Sequence, residues 1–385
     1  MAGNRTIIAL SAAATLLMIG VGMIVPLLPQ RVHDQTGSLE SVGLVASVFA
    51  IAYLLAQLPV GLLADRNGAK PLLVAGYLLC AAAGIAFYFS QTAVQIYLGR
   101  IVQGLGEAPI WALGPAVLSL AYPSAKGRAI GIYNAAIHAG LTIGPLIGLM
   151  VDPSGAGGRP FLLFSAFCIA GAAVLTAFLP GMNAARLAER TARPGLRDAL
   201  RLFSHRPSLV VLAGIVLYGA AYGASLTVLP VTIGSLRGLG PKEIGVFFSV
   251  FYAGIGLSQL VAGPLTDRYG RDGFMIGGLT LAALGLVATL LMPATFVSLA
   301  ISSFGLGVFC VASLAKLNDS APQHLKGTVS SAYYLAWGFG YVLGPMMIGT
   351  VDRMIVEGGY WVLCLLMAVE AITLAVLRGV PARKG

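Results

Sequence analysis

The sequence contains one ten-residue segment twice, with five of its ten positions identical. GLLADRNGAK spans residues 61–70 and GPLTDRYGRD spans residues 263–272, which is a shift of 202. Pro145 recurs as Pro345 at a shift of 200. A nearly constant shift leaves room for almost no insertions. A long internal repeat of this kind predicts a fold built from two similar halves.

The composition indicates a membrane environment. Hydrophobic residues make up 58% of the chain, charged residues 10%, and the mean hydropathy is +0.88, which is unlike a soluble domain. Twelve apolar stretches can each cross a hydrocarbon core of about 30 Å as a helix. They span residues 6–27, 42–64, 72–90, 94–118, 128–151, 161–180, 208–234, 243–265, 274–292, 295–317, 328–350 and 359–377. The sequence therefore predicts an all-α membrane protein with twelve transmembrane helices in two pseudo-symmetric six-helix bundles.

The predicted bundles are residues 1–180 and 208–385, joined by a cytoplasmic linker over residues 181–207. The linker holds six arginines, five of which follow one another at intervals of four, three, four and four residues. An amphipathic helix on the membrane surface and a solvated linker both fit this pattern. Pro194 and Gly195 would interrupt any single continuous helix there.

Basic residues are unevenly distributed between the predicted loops. With the N-terminus in the cytoplasm, 17 of the 24 lysines and arginines lie on the cytoplasmic side, five lie outside, and Arg100 and Lys316 lie within the membrane. The positive-inside rule then predicts a multi-pass protein of the cytoplasmic (inner) membrane with both termini in the cytoplasm. This bias and anionic inner-leaflet lipid explain the net charge of +10, so we expect membrane lipid and no nucleic acid as a partner.

No pattern of catalytic or metal-binding residues is present in the sequence. The four cysteines fall in four different apolar stretches, the four histidines are equally dispersed, and no Gly-rich phosphate loop occurs. We therefore expect no enzymatic activity, no metal and no cofactor.

The duplicated segment resembles the signature of the major facilitator superfamily, Gly-x-x-x-Asp-Arg-x-Gly followed by basic residues, and the resemblance extends over essentially the whole chain. The matching residues are Gly61, Asp65, Arg66, Gly68 and Lys70 in the first copy and Gly263, Asp267, Arg268, Gly270 and Arg271 in the second. The resemblance implies a transporter in which these residues form a conformational latch. Glycine permits a tight turn, and an Asp at a helix end can bind helix N-termini and arginines. A simple short-loop turn is the alternative.

The fifth stretch resembles a superfamily motif that is associated with antiporters. Its residues are Gly140, Gly144, Pro145 and Gly148, and the eleventh stretch has the similar Gly344 and Pro345. Small residues four apart allow close helix packing, and a proline bends a helix. The motif favours export, although its second copy also fits a purely packing role.

The fourth stretch carries the most informative polar residues. Arg100, Gln103 and the glycines at 104 and 106 resemble a third family motif, and the two glycines recur at 305 and 307. Glu107 lies seven residues, or about 10 Å, beyond Arg100 on the same helix face, and Trp111 continues that face. An ionised carboxylate at mid-membrane costs about 3 kcal/mol on insertion scales. Glu107 is therefore predicted to take up and release a proton, and the resemblance places Arg100 near the substrate cavity and the proton path.

His138 on the fifth stretch is the further candidate for proton coupling. Alternatives are a permanent structural pair between Glu107 and Arg100 or another donor, and a hydrogen-bonded packing role for His138. The first stretch contains no acidic residue, so proton coupling would depend on Glu107 and His138.

The resemblance assigns the lining of a central cavity chiefly to the first, fourth, seventh and tenth helices, with help from the fifth and eleventh. The predicted substrate-binding residues are Gln103, Trp111, Asn134, Tyr218, Tyr222, Lys316, Tyr334 and Trp337. Aromatic rings bind lipophilic and cationic molecules but also fill ordinary packing. Snorkelling and pairing with Asp319 would equally explain Lys316. For Glu370 on the twelfth stretch a structural role is expected.

These observations predict a proton-coupled exporter of small amphipathic or cationic compounds, similar to the twelve-helix drug:proton antiporters and working by alternating access. The expected partners are a small-molecule substrate, protons and lipid, and a monomer is expected. The alternative is an uptake symporter or facilitator for a sugar, organic acid or other metabolite, which the same fold accommodates. A membrane receptor or membrane-embedded enzyme would need a sensor domain or a catalytic cluster, and the sequence shows neither.

Overall fold

The computed structural model describes residues 2–122, 126–154, 157–181, 206–319 and 326–378, and within these ranges all regular structure is α-helical. The helices are α1 (Ala2–Ile24), α2 (Leu27–Thr36), α3 (Leu39–Asn67), α4 (Ala69–Phe89), α5 (Ala93–Ala121), α6 (Lys126–Val151), α7 (Arg159–Phe178), α8 (Arg206–Leu226), α9 (Val228–Arg237), α10 (Pro241–Tyr269), α11 (Arg271–Leu291), α12 (Thr295–Asp319), α13 (Lys326–Asp352) and α14 (Gly358–Arg378).

Eleven segments within the described ranges are long and apolar enough to cross a membrane. The remaining predicted stretch, residues 328–350, lies within the 27-residue helix α13. The all-α membrane fold expected from the sequence is thus confirmed. The predicted linker falls almost entirely on residues 182–205, which lie outside the described part of the chain.

The ends of the helices follow local sequence signals that recur in the second half. Thr92 begins α5 with a capping box, in which its hydroxyl accepts from the backbone N–H of Gln95 and the Gln95 side chain accepts from that of Thr92. Gly68 (φ 82°) separates α3 from α4, and Gly270 (φ 90°) separates α10 from α11. These backbone angles favour glycine, so both copies of the duplicated segment make the same turn.

The chain forms two compact units. One comprises Met1–Ala192 and Leu226–Ser249, and the other Arg193–Ser225 and Val250–Gly385. In the first unit α1 packs against α6 and α7, and α5 packs against α3 and α4. A Cβ atom on Gly76 of α4 would lie 2.5 Å from the carbonyl oxygen of Gly106, so these two backbones touch.

The second unit repeats this packing. A Cβ atom on Gly278 of α11 would lie 2.9 Å from the carbonyl oxygen of Gly305 of α12. However, the two glycines of α5 and the two glycines of α12 contact their neighbouring helices in the opposite order along the sequence. Gly104 faces α3 and Gly106 faces α4, whereas Gly305 faces α11 and Gly307 faces α10, the counterpart of α3. Glycines that match in sequence at a shift of 201 therefore do not occupy matching positions in the packing.

Candidate functional site

Four side chains of α5 form a continuous chain of hydrogen bonds inside the first unit. Arg100 Nη1 donates to Gln103 Oε1 at 2.8 Å, and Gln103 Nε2 donates to Glu107 Oε1 at 2.9 Å. Trp111 Nε1 donates to Glu107 Oε2 at 3.1 Å. We call these four residues the α5 polar chain. Intervals of three, four and four residues bring them onto one helix face, as the sequence predicted.

The α5 polar chain is buried and anchored to α3. Arg100, Gln103 and Glu107 are 4%, 0% and 3% exposed. Arg100 Nε donates to the carbonyl oxygen of Val45 at 3.0 Å, and its guanidinium carbon lies 4.2 Å from the ring centroid of Phe49. A buried guanidinium is stabilised by such a carbonyl and by the face of an aromatic ring. These contacts fix the Arg100 end of the α5 polar chain to α3.

The hydrogen bonds around Glu107 match an ionised carboxylate. Both of its oxygens accept, one from an amide N–H and one from an indole N–H. The indole is a donor only, and a proton on the carboxyl group would turn one of these two acceptors into a hydroxyl that needs an acceptor of its own. Gln103 bridges Glu107 to Arg100, so one amide links the carboxylate to a buried cation.

Two further predicted residues lie on α6. His138 is half-buried and Asn134, one turn earlier, is exposed. The glycines of the same helix face α1: a Cβ atom on Gly140 would lie 2.8 Å from the carbonyl oxygen of Thr15, and one on Gly22 would lie 3.0 Å from Gly144 Cα and 3.0 Å from Pro145 Cδ. The predicted glycine motif of α6 thus forms a close helix contact.

The corresponding motif of α13 makes the same kind of contact with α8. A Cβ atom on Gly344 would lie 2.5 Å from Ala220 Cα, and one on Gly223 would lie 3.2 Å from Pro345 Cγ. Gly148 extends the contact in the first unit, because a Cβ atom there would lie 3.3 Å from Met23 Cα. Both copies therefore serve packing, whatever further role the first one has.

The predicted aromatic residues of the second unit form a cluster around Tyr222. Its ring centroid lies 5.2 Å from that of Phe251, 5.9 Å from Trp337, 6.0 Å from Tyr218 and 6.2 Å from Tyr341. Trp337 and Tyr222 are only half-buried. The rings pack edge-on or tilted, as aromatic pairs prefer.

Tyr334 and Lys316 lie apart from this aromatic cluster. Tyr334 is 47% exposed and packs edge-on against Tyr333, at 5.5 Å between centroids. Lys316 Nζ lies 2.7 Å from Asp272 Oδ1, so α12 is tied by an ion pair to the start of α11. Sequence reasoning had considered Asp319 as the partner of Lys316 and had missed Asp272.

The second copy of the duplicated segment belongs to a charged network. Arg271 pairs with Asp267 and with Asp319, the latter at 3.1 Å, and donates to Thr266 Oγ1 at 2.7 Å. Arg268 lies with its guanidinium carbon 5.3 Å from the ring centroid of Tyr269. This network joins α10, α11 and α12 at one end of the second unit.

The described side chains of the first copy include two basic residues. Lys70 Nζ donates to the carbonyl oxygen of Thr176 on α7 at 2.8 Å, and Arg66 is exposed. Gly61, like Gly263, has open space around its Cα. The side chain of Asp65, the central acid of the predicted latch, lies outside the described residues.

Three of the four cysteines are buried, and Cys310 is half-buried. Cys80 and Cys168 are 0% exposed, Cys364 is buried, and Cys310 accepts a hydrogen bond from the Tyr333 hydroxyl at 3.1 Å. A search of the described residues finds no group of His, Cys, Asp and Glu that could hold a metal ion.

One cavity of about 470 Å³ lies in the first unit, within the range of small-molecule pockets. Pro26, Arg31 and Asp34 line one side of it, and Gly148 and Asp152 line another. Its polar groups already have local partners, since Arg31 Nη2 donates to the carbonyl oxygen of Gly157 at 2.9 Å. None of the predicted substrate-binding residues lines this cavity.

Comparison with known proteins decides the family. A sequence model of the Major Facilitator Superfamily matches residues 10–345 and 211–385. The chain belongs to this superfamily. It is therefore a multi-pass membrane transporter and not an enzyme.

Relatives and solved structures of this superfamily match nearly the whole chain. The chain is 26% identical to the tetracycline resistance protein, class C, of Escherichia coli over 373 residues, covering 91% of this chain and 90% of that protein. It is 26% identical to the multidrug resistance protein MdtH of Aeromonas salmonicida over 396 residues, covering 96% and 93%. A crystal structure of a variant of the nucleoside transporter NupG superposes with a TM-score of 0.83 at 14% identity, covering 97% and 99%.

The structure also shows partners that sequence reasoning missed. Val45 and Phe49 hold Arg100, while Phe251 and Tyr341 complete the aromatic cluster. Val45, Phe49 and Phe251 lie on helices that carry none of the predicted site residues they contact, whereas Tyr341 lies on α13, one turn after Trp337. The spacing within one helix predicts its face but not which residue of a neighbouring helix meets that face.

Proposed function

We propose that the protein is a proton-coupled exporter of small amphipathic or cationic compounds, working by alternating access in the cytoplasmic membrane with both termini in the cytoplasm. The observation that carries the proposal is the buried α5 polar chain, in which the carboxylate of Glu107 is linked through Gln103 to Arg100. Ionisable residues inside a membrane are costly, and they mark ion or proton pathways.

The hydrogen-bond chemistry gives a route from proton binding to helix movement. When Glu107 takes up a proton, one oxygen becomes a hydroxyl donor, which needs an acceptor. The Gln103 amide already contacts Glu107 and can offer its Oε1 atom by turning over, which presents its NH₂ group to Arg100, itself only a donor. Arg100 would then lose its bond to Gln103, and Arg100 is the residue that also binds the carbonyl oxygen of Val45 of α3. Protonation is thus transmitted to the contact between α3 and α5.

The aromatic cluster supports the substrate class. Half-buried rings of Tyr222 and Trp337 next to Tyr218 offer faces to a lipophilic cation. Asn134, Lys316 and Tyr334 are proposed as further contacts and His138 as a second group in proton coupling. Two relatives are named for tetracycline and multidrug resistance, which supports export. The uptake of a metabolite is the alternative, and the direction of transport separates the two.

The duplicated segment is proposed to act as a latch that favours one conformation. Its two glycine turns place Asp65 and Asp267 at helix ends, beside arginines 66 and 268. A monomer contains both copies, so we propose that no second chain is needed for cycling.

The test is transport by the purified protein in proteoliposomes, with the fluorescent cation ethidium as the probe and an imposed pH gradient as the driving force. Glu107→Gln should lose gradient-driven ethidium accumulation but keep ethidium exchange, since Gln preserves the size of the side chain and removes the titrating group. Glu40→Gln, at the start of α3, is the matched control and should behave like the unaltered protein. His138→Ala tests the second candidate.

Accumulation by Glu107→Gln at the unaltered rate would contradict the assignment of the proton site. The orientation of ethidium movement in inverted membrane vesicles tests export. Accumulation inside such vesicles when their interior is acidified supports export by proton exchange, and movement of ethidium together with protons supports uptake.

A further inference from the structure

Glu370 is a buried carboxyl group that the proposed mechanism does not use. It lies on α14, twelve residues after Gly358 and eight before Arg378, so it is far from both ends of a segment that can span the membrane. The residue is 8% exposed, and its Oε1 atom has no hydrogen-bond partner among the described residues. Buried polar oxygens normally have a partner, so this exception calls for an explanation.

Glu370 Oε1 lies beside apolar groups of α8 and α12. A Cβ atom on Gly214 of α8 would lie 3.3 Å from Glu370 Oε1 and 2.7 Å from the ring of Phe309 of α12. The carboxyl group thus fills the space that the missing side chain of Gly214 leaves next to a fully buried ring. Sequence reasoning expected a structural role for Glu370, but a structural carboxylate would need a donor or a cation here.

Among the described side chains, the ionisable groups closest to these contacts are engaged elsewhere or uncharged. On α8 the nearest in sequence is Tyr218, one turn after Gly214, and on α12 it is Cys310, which accepts from the Tyr333 hydroxyl. Lys316 of α12 is paired with Asp272 of α11. Helix α14 also packs on α11 and α13, for example through Cys364 Sγ, which lies 3.9 Å from the carbonyl oxygen of Ala283 of α11, and through Gly359 against Ile348 of α13.

We propose that Glu370 is a second proton-binding site of the transporter, which holds a proton while α14 packs on Gly214 and Phe309 and releases it to water when these helices separate. An ionised carboxylate without a partner is costly inside a membrane, whereas the neutral acid loses only its hydrogen bonds to water. One O–H bond forms on binding and breaks on release, and no other reactant is needed. The existence of the site does not depend on Glu107, and only its role in transport rests on the proposed function.

The direct test is infrared spectroscopy of the purified protein in detergent at neutral pH, which separates the carbonyl stretch of a protonated carboxyl group from the bands of carboxylates. The unaltered protein should show a protonated-carboxyl band that shifts in D₂O. Glu370→Gln should lose this band, and Glu107→Gln should retain it. A spectrum of Glu370→Gln with the same band as the unaltered protein would overturn the proposal.

Folding provides the second measurement. Gln and Leu both replace a neutral acid without removing a charge pair, so Glu370→Gln and Glu370→Leu should each unfold within a few degrees of the unaltered protein. Failure of both variants to fold would show that Glu370 is ionised and paired, which contradicts the proposal. If ethidium transport proved independent of protons while the band was present, the proposed function would fail and the proton site would stand.

Discussion

Helices α5 and α12 hold corresponding places in the two repeats but carry different chemistry. Gly104 faces α3, and Gly307 faces α10, the counterpart of α3. When these two glycines are matched, Arg100 corresponds to Ser303 and Glu107 corresponds to Cys310. The backbone contacts are therefore repeated, whereas the α5 polar chain occurs once. Both helices keep the glycines at which they pack closely on their neighbours. Of the two, only α5 carries the buried charged residues of the polar chain.

The largest effect is expected from Arg100→Lys, which tests whether proton coupling belongs to α5 and not to α12. A lysine has one nitrogen and cannot reproduce the fork that reaches Val45 and Gln103 together. We expect ethidium accumulation driven by a pH gradient to fall about 10- to 100-fold, the size of a coupling free energy of about 1–3 kcal/mol. Cys310→Ser on α12 is the control and should change the rate less than about twofold. Equal losses in both variants would show that the repeats share the coupling.

The two copies of the latch should also differ. Asp65→Asn is expected to slow transport about tenfold, the equivalent of losing one charged hydrogen bond of about 1.5 kcal/mol. Asp267→Asn should have a smaller effect, since the Asp267 side chain is 68% exposed and Arg271 keeps Asp319. Transport rates in proteoliposomes, together with the affinity for ethidium, measure this. A stronger effect of Asp267→Asn would reverse the proposed order of the two copies.

The smallest effect on transport is expected from substitutions at the glycines where helices pack closely in both repeats. Gly76→Ala and Gly278→Ala should each lower stability by about 1–3 kcal/mol, because each new methyl group meets backbone atoms of the next helix. Transport per folded molecule should be unchanged. Thermal unfolding in detergent measures the loss, and Gly61→Ala, which meets open space, should not lower the unfolding temperature. A loss confined to one repeat would contradict the symmetry of the packing.

Hydropathy predicted the membrane fold well, because long apolar stretches have few other stable arrangements. It did not predict the breaks within two of them. The chain turns at Val25 and Pro26 between α1 and α2, and at Thr227 (φ −128°, ψ −78°) between α8 and α9. Both breaks lie within apolar sequence, so a window average does not detect them.

The candidate site was predicted in part. Helical spacing brought Arg100, Gln103, Glu107 and Trp111 onto one face before the structure showed their hydrogen bonds. The ion pair of Lys316 with Asp272 and the isolation of Glu370 depend on which residues of neighbouring helices face each other. A single sequence does not show this register between helices. Interactions along one helix were therefore easier to predict than those between helices.

The shielding of the cysteines has a practical consequence for labelling. Thiol reagents attack the thiolate of an accessible cysteine, and Cys80, Cys168 and Cys364 are buried, while Cys310 is engaged by Tyr333. A reporter cysteine introduced at an exposed helix end should therefore react with a water-soluble maleimide well before the native thiols do. Spin or fluorescent labels can be placed on the natural sequence, and distances between the two repeats can be followed through a cycle without first removing four residues from tightly packed helices.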